Sequence, residues 1–195
     1  MSSKIVLDCD GVLLDWYLGF SKWMERHGFH EEEDGYYSIS KRFGIEVAKG
    51  KQLVTQFNES AAIGFLSPYM DAVRGIHRLY TMGYKFEVVT SLSNYKYSQL
   101  LRESNLNNCF YPVTFDKVYC LDTGEDKLEI LSSLYKNSNY FWIEDKLQNA
   151  IDGYEVGLRP ILLRHSHHKT EIIPDYIPIF DTWNEVVEYI TKNDL

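Results

Sequence analysis

The residues with the clearest chemical potential in this chain are Asp8 and Asp10, which follow the apolar run 5–7. A continuous run of branched apolar residues is typical of a parallel strand that helices cover on both faces. Side chains alternate along a strand, so Asp8 and Asp10 are expected on one side and Cys9 on the other. Gly11 allows the chain to leave the sheet in a conformation that other residues disfavour. Ligands of open α/β sheets bind at the carboxyl ends of strands, where these two acids are placed.

A second pair of acids, Glu144 and Asp145, follows the apolar and aromatic run 140–143. Two adjacent carboxylates at the end of a buried strand repel one another unless a cation lies between them and the first aspartates. The alternative is that Asp145 caps the following helix. The pattern therefore points to a cation held by acids from two distant parts of the chain.

A hydroxyl residue and a lysine stand at the ends of two further predicted elements. The run 84–90 is rich in strand formers and ends in Thr90, which Ser91 follows. Lys127 opens a predicted amphipathic helix with apolar residues at 128, 131 and 134. The first turn of a helix prefers acids, so a lysine there indicates a nearby anion. Taken singly, Thr90 also fits a strand end or helix cap, and Lys127 an ordinary exposed side chain.

In residue type, order and placement, these segments resemble the four motifs of the haloacid dehalogenase superfamily. Its first motif, Asp-x-Asp-Gly-Val/Thr-Leu-x-Asp, is matched by Asp8, Asp10, Gly11, Val12, Leu13 and Asp15. The second motif is matched by Thr90, the third by Lys127, and the fourth by Glu144, Asp145 and Asn149. The resemblance spans nearly the whole chain. It implies an α/β fold with a doubly wound parallel sheet, the Rossmann-like core of that superfamily, and an inserted α-helical C1 cap.

The resemblance also implies a Mg²⁺-dependent phosphatase that works through an aspartyl-phosphate. Asp8 would be the nucleophile and Asp10 the general acid and base. Asp8, the main-chain carbonyl of Asp10, and Asp145 would hold the Mg²⁺, with Glu144 and Asn149 behind them.

The phosphoryl oxygens would be bound by Thr90, Ser91 and Lys127, where charge develops in the transition state. As the resemblance implies, phosphatases and phosphomutases carry an aspartate at the position of Asp10, whereas dehalogenases and phosphonatases do not. Cleavage of a carbon–halogen bond is therefore not expected. The cap features of a mutase are not identified in the sequence.

The expected substrate is a small phosphorylated metabolite, and a nucleoside monophosphate is the alternative, because the motifs loosely resemble the 5'(3')-deoxyribonucleotidase branch. The predicted cap is rich in aromatic residues: Trp16, Tyr17, Phe20, Trp23, Tyr36, Tyr37 and Phe43. These rings could stack on a base or fill the core of the cap. Lys41 and Arg42 could meet a second anionic group or remain solvated.

Two non-enzymatic alternatives are a receiver-like phosphoacceptor and an inactive binding module. A receiver has its acidic pair on the first strand and its acceptor aspartate on the third, which is the reverse of the order here. A binding module would not need every motif position filled. The run His165-Ser166-His167-His168 predicts a polar loop rather than a zinc site, because adjacent histidines lack the spread geometry of such a site. A contact of this loop with substrate is the second possibility.

The predicted domains are a core formed by 1–14 and 68–195 and a cap formed by 15–67. The cap region is expected to contain successive helices, the first over about 14–28 from its apolar spacing. Pro68 predicts the start of a core helix that ends before Gly83. Thr182 and Glu185 have the spacing of a capping box at the last helix.

The composition sets further limits. The chain has 195 residues, 45% of them hydrophobic and 25% charged, which is ordinary for a globular protein. A net charge of -8 disfavours nonspecific binding to nucleic acid polymers or anionic membranes. Three cysteines without framework spacing predict reduced thiols and a cytoplasmic location. No signal peptide and no membrane span of about 20 apolar residues is expected, and the oligomeric state stays open.

Overall fold

A computed structural model of the protein describes residues 4–32, 36–113, 115–166, 168 and 171–194. Within these residues, six strands form one sheet: β1 (Lys4–Leu7), β2 (Lys85–Ser91), β3 (Phe115–Leu121), β4 (Phe141–Glu144), β5 (Arg159–Leu163) and β6 (Ile179–Phe180). Their order across the sheet is β3-β2-β1-β4-β5-β6, and all neighbouring pairs are parallel. The chain therefore runs outward from β1 in both directions. The predicted doubly wound parallel sheet is confirmed.

Helices pack on both faces of the sheet. They are α1 (Trp16–Arg26), α2 (Ile39–Arg42), α3 (Val47–Asn58), α4 (Met70–Thr81), α5 (Lys96–Phe110), α6 (Leu128–Tyr135), α7 (Leu147–Val156) and α8 (Trp183–Asn193), with a 3-10 helix over Ala61–Phe65. Alternation along β1 sends Ile5 and Leu7 into the apolar cluster of α4, α5 and α8, whereas Val6 joins that of α6 and α7. None of these three side chains is exposed, as expected for a central strand.

The segment between β1 and α4 is helical, as predicted. Asp15 accepts a hydrogen bond from the Leu18 amide at 3.0 Å, so α1 begins at Trp16, two residues later than expected. Phe20 of α1 and Phe57 of α3 pack edge to face, with 5.3 Å between the ring centroids. The division into a core and a cap at positions 15 and 68 stays a prediction.

The last helix begins with the capping box that its sequence predicts. The Thr182 hydroxyl accepts from the Glu185 amide at 3.4 Å, and the Glu185 carboxylate accepts from the Thr182 amide at 2.9 Å. Trp183 then anchors α8, because its indole N–H donates to the Val12 carbonyl at 2.9 Å. The carboxyl-terminal helix is thereby fixed to the loop that follows β1.

The three cysteines are free thiols, and Cys9 is buried in the core. This agrees with the predicted reduced state. Within the described parts of the chain, none of the helices has both the length and the apolar composition needed to cross a bilayer. The cytoplasmic location stays a prediction.

Candidate active site

The carboxyl ends of β1, β2 and β4 meet at one edge of the sheet. Parallel pairing sets Leu7 beside Val88 on one side and Ile143 on the other. The residues that follow these strand positions therefore converge. The predicted site residues that line one cavity of about 580 Å³ are Asp8, Asp10, Thr90, Ser91, Lys127, Asp145 and Asn149. Glu144 lies directly behind them, with no exposed surface.

Lys127 is the buried cation at the centre of this edge. Only 1% of it is exposed, and its Nζ lies 2.7 Å from Asp8 Oδ2 and 2.7 Å from Glu144 Oε1. Burial works to lower the pKa of Lys127, but the charges of Asp8 and Glu144 outweigh it, so the pKa is raised and the ammonium group stays charged. The sequence predicts that Lys127 opens this helix; it is the residue directly before α6, and it is buried beside two carboxylates rather than exposed.

Glu144 accepts four hydrogen bonds from residues around this edge of the sheet. Oε1 accepts from Lys127 Nζ at 2.7 Å and from Asn149 Nδ2 at 2.6 Å. Oε2 accepts from the amides of Asp145 and Lys146, each at 2.6 Å. Burial would raise the pKa of Glu144, but Lys127 and these hydrogen bonds lower it, so the group is a carboxylate. Because all four contacts are made by the protein, Glu144 orients its neighbours.

Asp8 and Asp145 are less well compensated than Glu144. Burial raises the pKa of Asp8 to about 8 although Lys127 acts to lower it. Burial and the charge of Glu144 also raise the pKa of Asp145 well above its ordinary value. Four carboxyl groups meet at this edge, while the buried cations among the described residues are Lys127 and Arg102. The site therefore has an excess of acidic groups.

This excess of acids fits a divalent cation. One ligand oxygen from each of Asp8, Glu144 and Asp145 lies within 4.8 Å of the others. Carboxylate oxygens are the hard ligands that Mg²⁺ prefers, and a cation would favour the ionised forms of the two acids whose pKa is raised. The donor set on this edge is therefore suited to Mg²⁺.

Thr90 offers a hydrogen-bond donor toward the same cavity. It is 1% exposed, and its hydroxyl has no hydrogen-bond partner within the described chain. A buried polar group without a partner costs about 1–3 kcal/mol, so this hydroxyl is suited to bind a group that enters the cavity. Ser91 also lines the cavity, but its hydroxyl donates to the Glu125 carbonyl at 2.7 Å. Ser91 thus tethers the loop that leads to Lys127.

Gly11 brings the loop after β1 against Asp145. Its φ is +80°, a conformation that glycine adopts readily, and an added Cβ would lie 2.1 Å from Asp145 Oδ2. The Gly11 carbonyl accepts a hydrogen bond from His165 Nε2 at 2.7 Å. His165 is not among the residues that line the cavity, and the His165 amide donates to His168 Nδ1 at 2.9 Å. These two histidines support the loop, and His167 lies outside the described residues.

Arg102 is the site residue that sequence reasoning missed. It is fully buried on α5, with Nη1 2.6 Å from Asp10 Oδ1 and Nη2 donating to Asp10 Oδ2 at 3.0 Å. Nη1 also donates to Cys9 Sγ at 3.1 Å. A signal was present in the sequence, because Arg102 shares the buried face of its helix with Leu106 and Phe110 at helical spacing.

The far wall of the cavity is formed by the helices between β1 and α4. Trp16, Tyr17 and Tyr37 line it. Phe20 and Phe43 are instead buried in the apolar cluster, as the core interpretation of the aromatic residues expected. Lys41 and Arg42 are not among the lining residues; they lie over the rings of Tyr36 and Tyr17, and Arg42 also pairs with Glu31.

One hydrogen-bonded chain joins this wall to the strand ends. The Trp16 indole N–H donates to Asn58 Oδ1 at 2.9 Å, and Asn58 Nδ2 donates to the Leu92 carbonyl at 2.9 Å. The Thr123 hydroxyl donates to the same carbonyl at 2.6 Å. Helices α1 and α3 are thereby linked to the segments that carry Thr90 and Lys127.

Comparison of the sequence with known proteins finds a related phage protein. No protein-family model matches the chain. The chain is 28% identical over 193 residues to an uncharacterized 32.4 kDa protein of Enterobacteria phage T4, a match that covers 95% of this chain and 69% of that protein.

Two solved structures superpose over nearly the whole chain. A haloacid dehalogenase-like hydrolase from Streptococcus pneumoniae matches with a TM-score of 0.68 at 14% identity, covering 97% of this chain and 98% of that one. A D,D-heptose 1,7-bisphosphate phosphatase from B. bronchiseptica, complexed with magnesium and phosphate, matches with a TM-score of 0.62 at 11% identity, with coverage of 97% and 98%. The resemblance inferred from the motifs is confirmed in the fold, which is that of haloacid dehalogenase-like hydrolases and phosphatases.

Proposed function

We propose that this protein is a phosphatase that hydrolyses small phosphomonoesters through Asp8. The observation that carries the proposal is the arrangement around one cavity: a carboxylate, a protonated lysine 2.7 Å from it, and a buried threonine hydroxyl without a partner. The lysine and the hydroxyl are donors for phosphoryl oxygens, and the carboxylate is a nucleophile for phosphorus.

The reaction has two steps. In the first, a carboxylate oxygen of Asp8 forms a bond to phosphorus while the ester P–O bond breaks, and Asp10 gives a proton to the departing alkoxide. In the second, a water molecule attacks the aspartyl-phosphate, Asp10 takes the proton of that water, and inorganic phosphate leaves. Lys127 and Thr90 bind the oxygens on which charge develops.

Mg²⁺ is the proposed cofactor. Asp8, Asp145 and the main-chain carbonyl of Asp10 would hold it, because the Asp10 carboxylate faces Arg102 and all the contacts of Glu144 are made by protein donors. When bound, the cation reduces the repulsion between the nucleophilic carboxylate and the phosphate dianion. The acidic cluster supports this choice, and a structural neighbour was solved with magnesium and phosphate.

The test is hydrolysis of 4-nitrophenyl phosphate by the purified protein, with Mg²⁺ and with a chelator. We expect activity only with Mg²⁺, and loss of it in Asp8→Asn. The matched control is Glu87→Gln, which changes another buried acid of the same sheet, one that does not line the cavity. Equal activity of Asp8→Asn and the wild type would refute the proposed nucleophile.

A nucleoside monophosphate is the second candidate substrate. A volume of about 580 Å³ gives room for more than a phosphoryl group, and Tyr17 and Tyr37 lie on the wall with ring centroids 6.4 Å apart. Aromatic faces of this kind stack on bases. Initial rates for nucleoside monophosphates with different bases are compared with those for sugar phosphates, in the wild type and in Tyr37→Ala. Equal initial rates of the wild type for nucleoside monophosphates with different bases would exclude this candidate.

A further inference from the structure

We infer that Arg102 is a positioning residue, which holds the Asp10 carboxylate in the orientation needed for proton transfer to and from the leaving group. The inference rests on the proposed phosphatase. It adds a residue that none of the four sequence motifs contains.

Arg102 contacts both carboxylate oxygens of Asp10. Arg102 Nη2 donates a hydrogen bond to Oδ2 at 3.0 Å, and Nη1 lies 2.6 Å from Oδ1 as an ion pair, although Oδ1 accepts no hydrogen bond within the described residues. Because both nitrogens belong to one rigid guanidinium, a hydrogen bond at one oxygen and a close charge contact at the other restrain the orientation of the carboxylate more than a single point charge would. The Asp10 side chain is therefore held in one orientation at the cavity.

Arg102 lies behind Asp10 and away from the substrate. The Asp10 side chain is 21% exposed and lines the cavity, whereas the Arg102 side chain has no exposed surface and is absent from the lining. Arg102 therefore cannot bind phosphate directly. Its effect on a reaction in the cavity has to pass through Asp10.

A purely structural role does not account for the arginine. A buried ion pair contributes little net stability compared with apolar residues of similar volume. The buried residues of α5 beside Arg102 are both polar, Ser98 and Asn105, and apolar, Leu106 and Phe110, and Arg102 is the charged one among them. The guanidinium is also incompletely paired, because Nε has no hydrogen-bond acceptor in the described parts of the chain. A charged residue kept at such a cost indicates a function for its partner.

The leaving group of the ester distinguishes a loss of Asp10 orientation from a general loss of activity. Phenolate is a basic leaving group, with a conjugate-acid pKa of about 10 as in tyrosine, and it benefits from a proton as it departs. The nitro group of 4-nitrophenolate stabilises its negative charge, so this leaving group departs without a proton. The two esters differ only by that nitro group, and kcat/KM reports the step in which the ester bond breaks.

The experiment compares kcat/KM for phenyl phosphate and 4-nitrophenyl phosphate in the wild type and in Arg102→Lys. Lysine keeps the charge but contacts a carboxylate from a single point. We expect kcat/KM for phenyl phosphate to fall on the order of 10-fold in Arg102→Lys, which is a fraction of the 10²–10⁴-fold that general acid catalysis supplies. For 4-nitrophenyl phosphate, we expect kcat/KM to fall by no more than about 2-fold. Thermal unfolding of each variant confirms that it is folded; Arg102→Gln, which keeps an N–H donor, replaces Arg102→Lys if the latter is unfolded.

A double variant tests whether the effect passes through Asp10. In an Asp10→Asn background, adding Arg102→Lys is expected to leave the ratio of the two kcat/KM values unchanged. An equal loss for both esters in Arg102→Lys, or a further change of the ratio in the double variant, would overturn the inference while leaving the phosphatase intact. If the wild type hydrolyses neither ester, the proposed function fails, and this inference fails with it.

Discussion

Among the residues that the structure describes, the buried acid Glu87 and the buried acids around Lys127 lie on the same sheet, and the two sites differ in the balance of acidic and basic groups. At the first, Glu87 of β2 accepts from Lys4 Nζ at 2.5 Å and from the Tyr135 hydroxyl at 2.6 Å, so each carboxylate oxygen has its own donor. At the second, Lys127 lies between two carboxylates, Asp8 and Glu144, with Asp145 close by.

The difference distinguishes Glu87, whose contacts are structural, from the acids that we propose to be functional. The carboxylate of Glu87 is matched by one cation and one hydroxyl, and such a site needs nothing from outside the protein. The Lys127 site has more acids than cations, and the pKa values of Asp8 and Asp145 are raised as a consequence of burial and mutual repulsion. A bound cation would relieve this mismatch, which is why we propose the metal site there.

The largest expected effect on the Lys127 site is that of Lys127→Ala. Removing the donor for a phosphoryl oxygen should lower kcat on the order of 10²-fold or more. The matched change at the other site, Lys4→Ala, should leave kcat unchanged, because Lys4 pairs with Glu87 and does not line the cavity. Steady-state kinetics of both variants on 4-nitrophenyl phosphate checks this. An unchanged kcat in Lys127→Ala would remove that residue from the site.

Gly11→Ala should disturb the acidic cluster without changing any charge. The new Cβ would lie 2.1 Å from Asp145 Oδ2 and 2.4 Å from Asp145 Cγ, and φ of +80° is strained for alanine. Asp145 must move, so we expect weaker Mg²⁺ activation, with the half-maximal Mg²⁺ concentration raised by about 10-fold, equivalent to roughly 1.4 kcal/mol. Gly83→Ala is the control, since it has a similar φ of +94° but nothing within 4 Å of its added Cβ. An unaltered Mg²⁺ requirement in Gly11→Ala would argue against Asp145 as a ligand.

The stabilisation of the protein by Mg²⁺ should increase with pH. Burial raises the pKa of Asp8 to about 8 from an ordinary value near 4, so this group binds its proton more tightly in the folded state. Its contribution to stability is full below about pH 4 and is lost as the pH rises through about 8. Mg²⁺ must displace that proton.

The measurement is the thermal unfolding temperature with and without Mg²⁺ at about pH 6 and about pH 8.5. We expect the shift caused by Mg²⁺ to be larger at the higher pH in the wild type and in Glu87→Gln. Asp8→Asn should show a smaller shift with less dependence on pH. A shift that is the same at both pH values in the wild type would contradict the excess of acids that distinguishes this site.

The smallest expected effect is that of a change beside Glu87. Tyr135→Phe removes one donor to Glu87 and should lower the free energy of unfolding by about 1 kcal/mol, with no change in kcat or in the Mg²⁺ requirement. Urea unfolding measured beside steady-state kinetics checks both parts. A loss of activity in Tyr135→Phe would show that the two sites are coupled through the sheet.

Several features of this protein were determined by the sequence alone. The apolar run 5–7 predicts a central parallel strand, because such a run is typical of a strand covered on both faces, and alternation along it places Asp8 and Asp10 toward the cavity and Cys9 in the core. Lys127 indicates an anion because the start of a helix repels a cation. These rules depend only on residues that are near one another in sequence, so they apply whatever the tertiary structure is.

Only the tertiary structure decided which distant residues face one another. Arg102 meets Asp10 from 92 positions away in sequence, because α5 lies beside the loop that follows β1. Tyr17 and Tyr37 line the cavity while Phe20 and Phe43 do not, although all four belong to one aromatic-rich segment. The excess of acids at Lys127 and the matched pair at Glu87 are likewise properties of packing. A local pattern can indicate that a side chain is buried, but the partner that it meets depends on neighbours that the chain brings together in space.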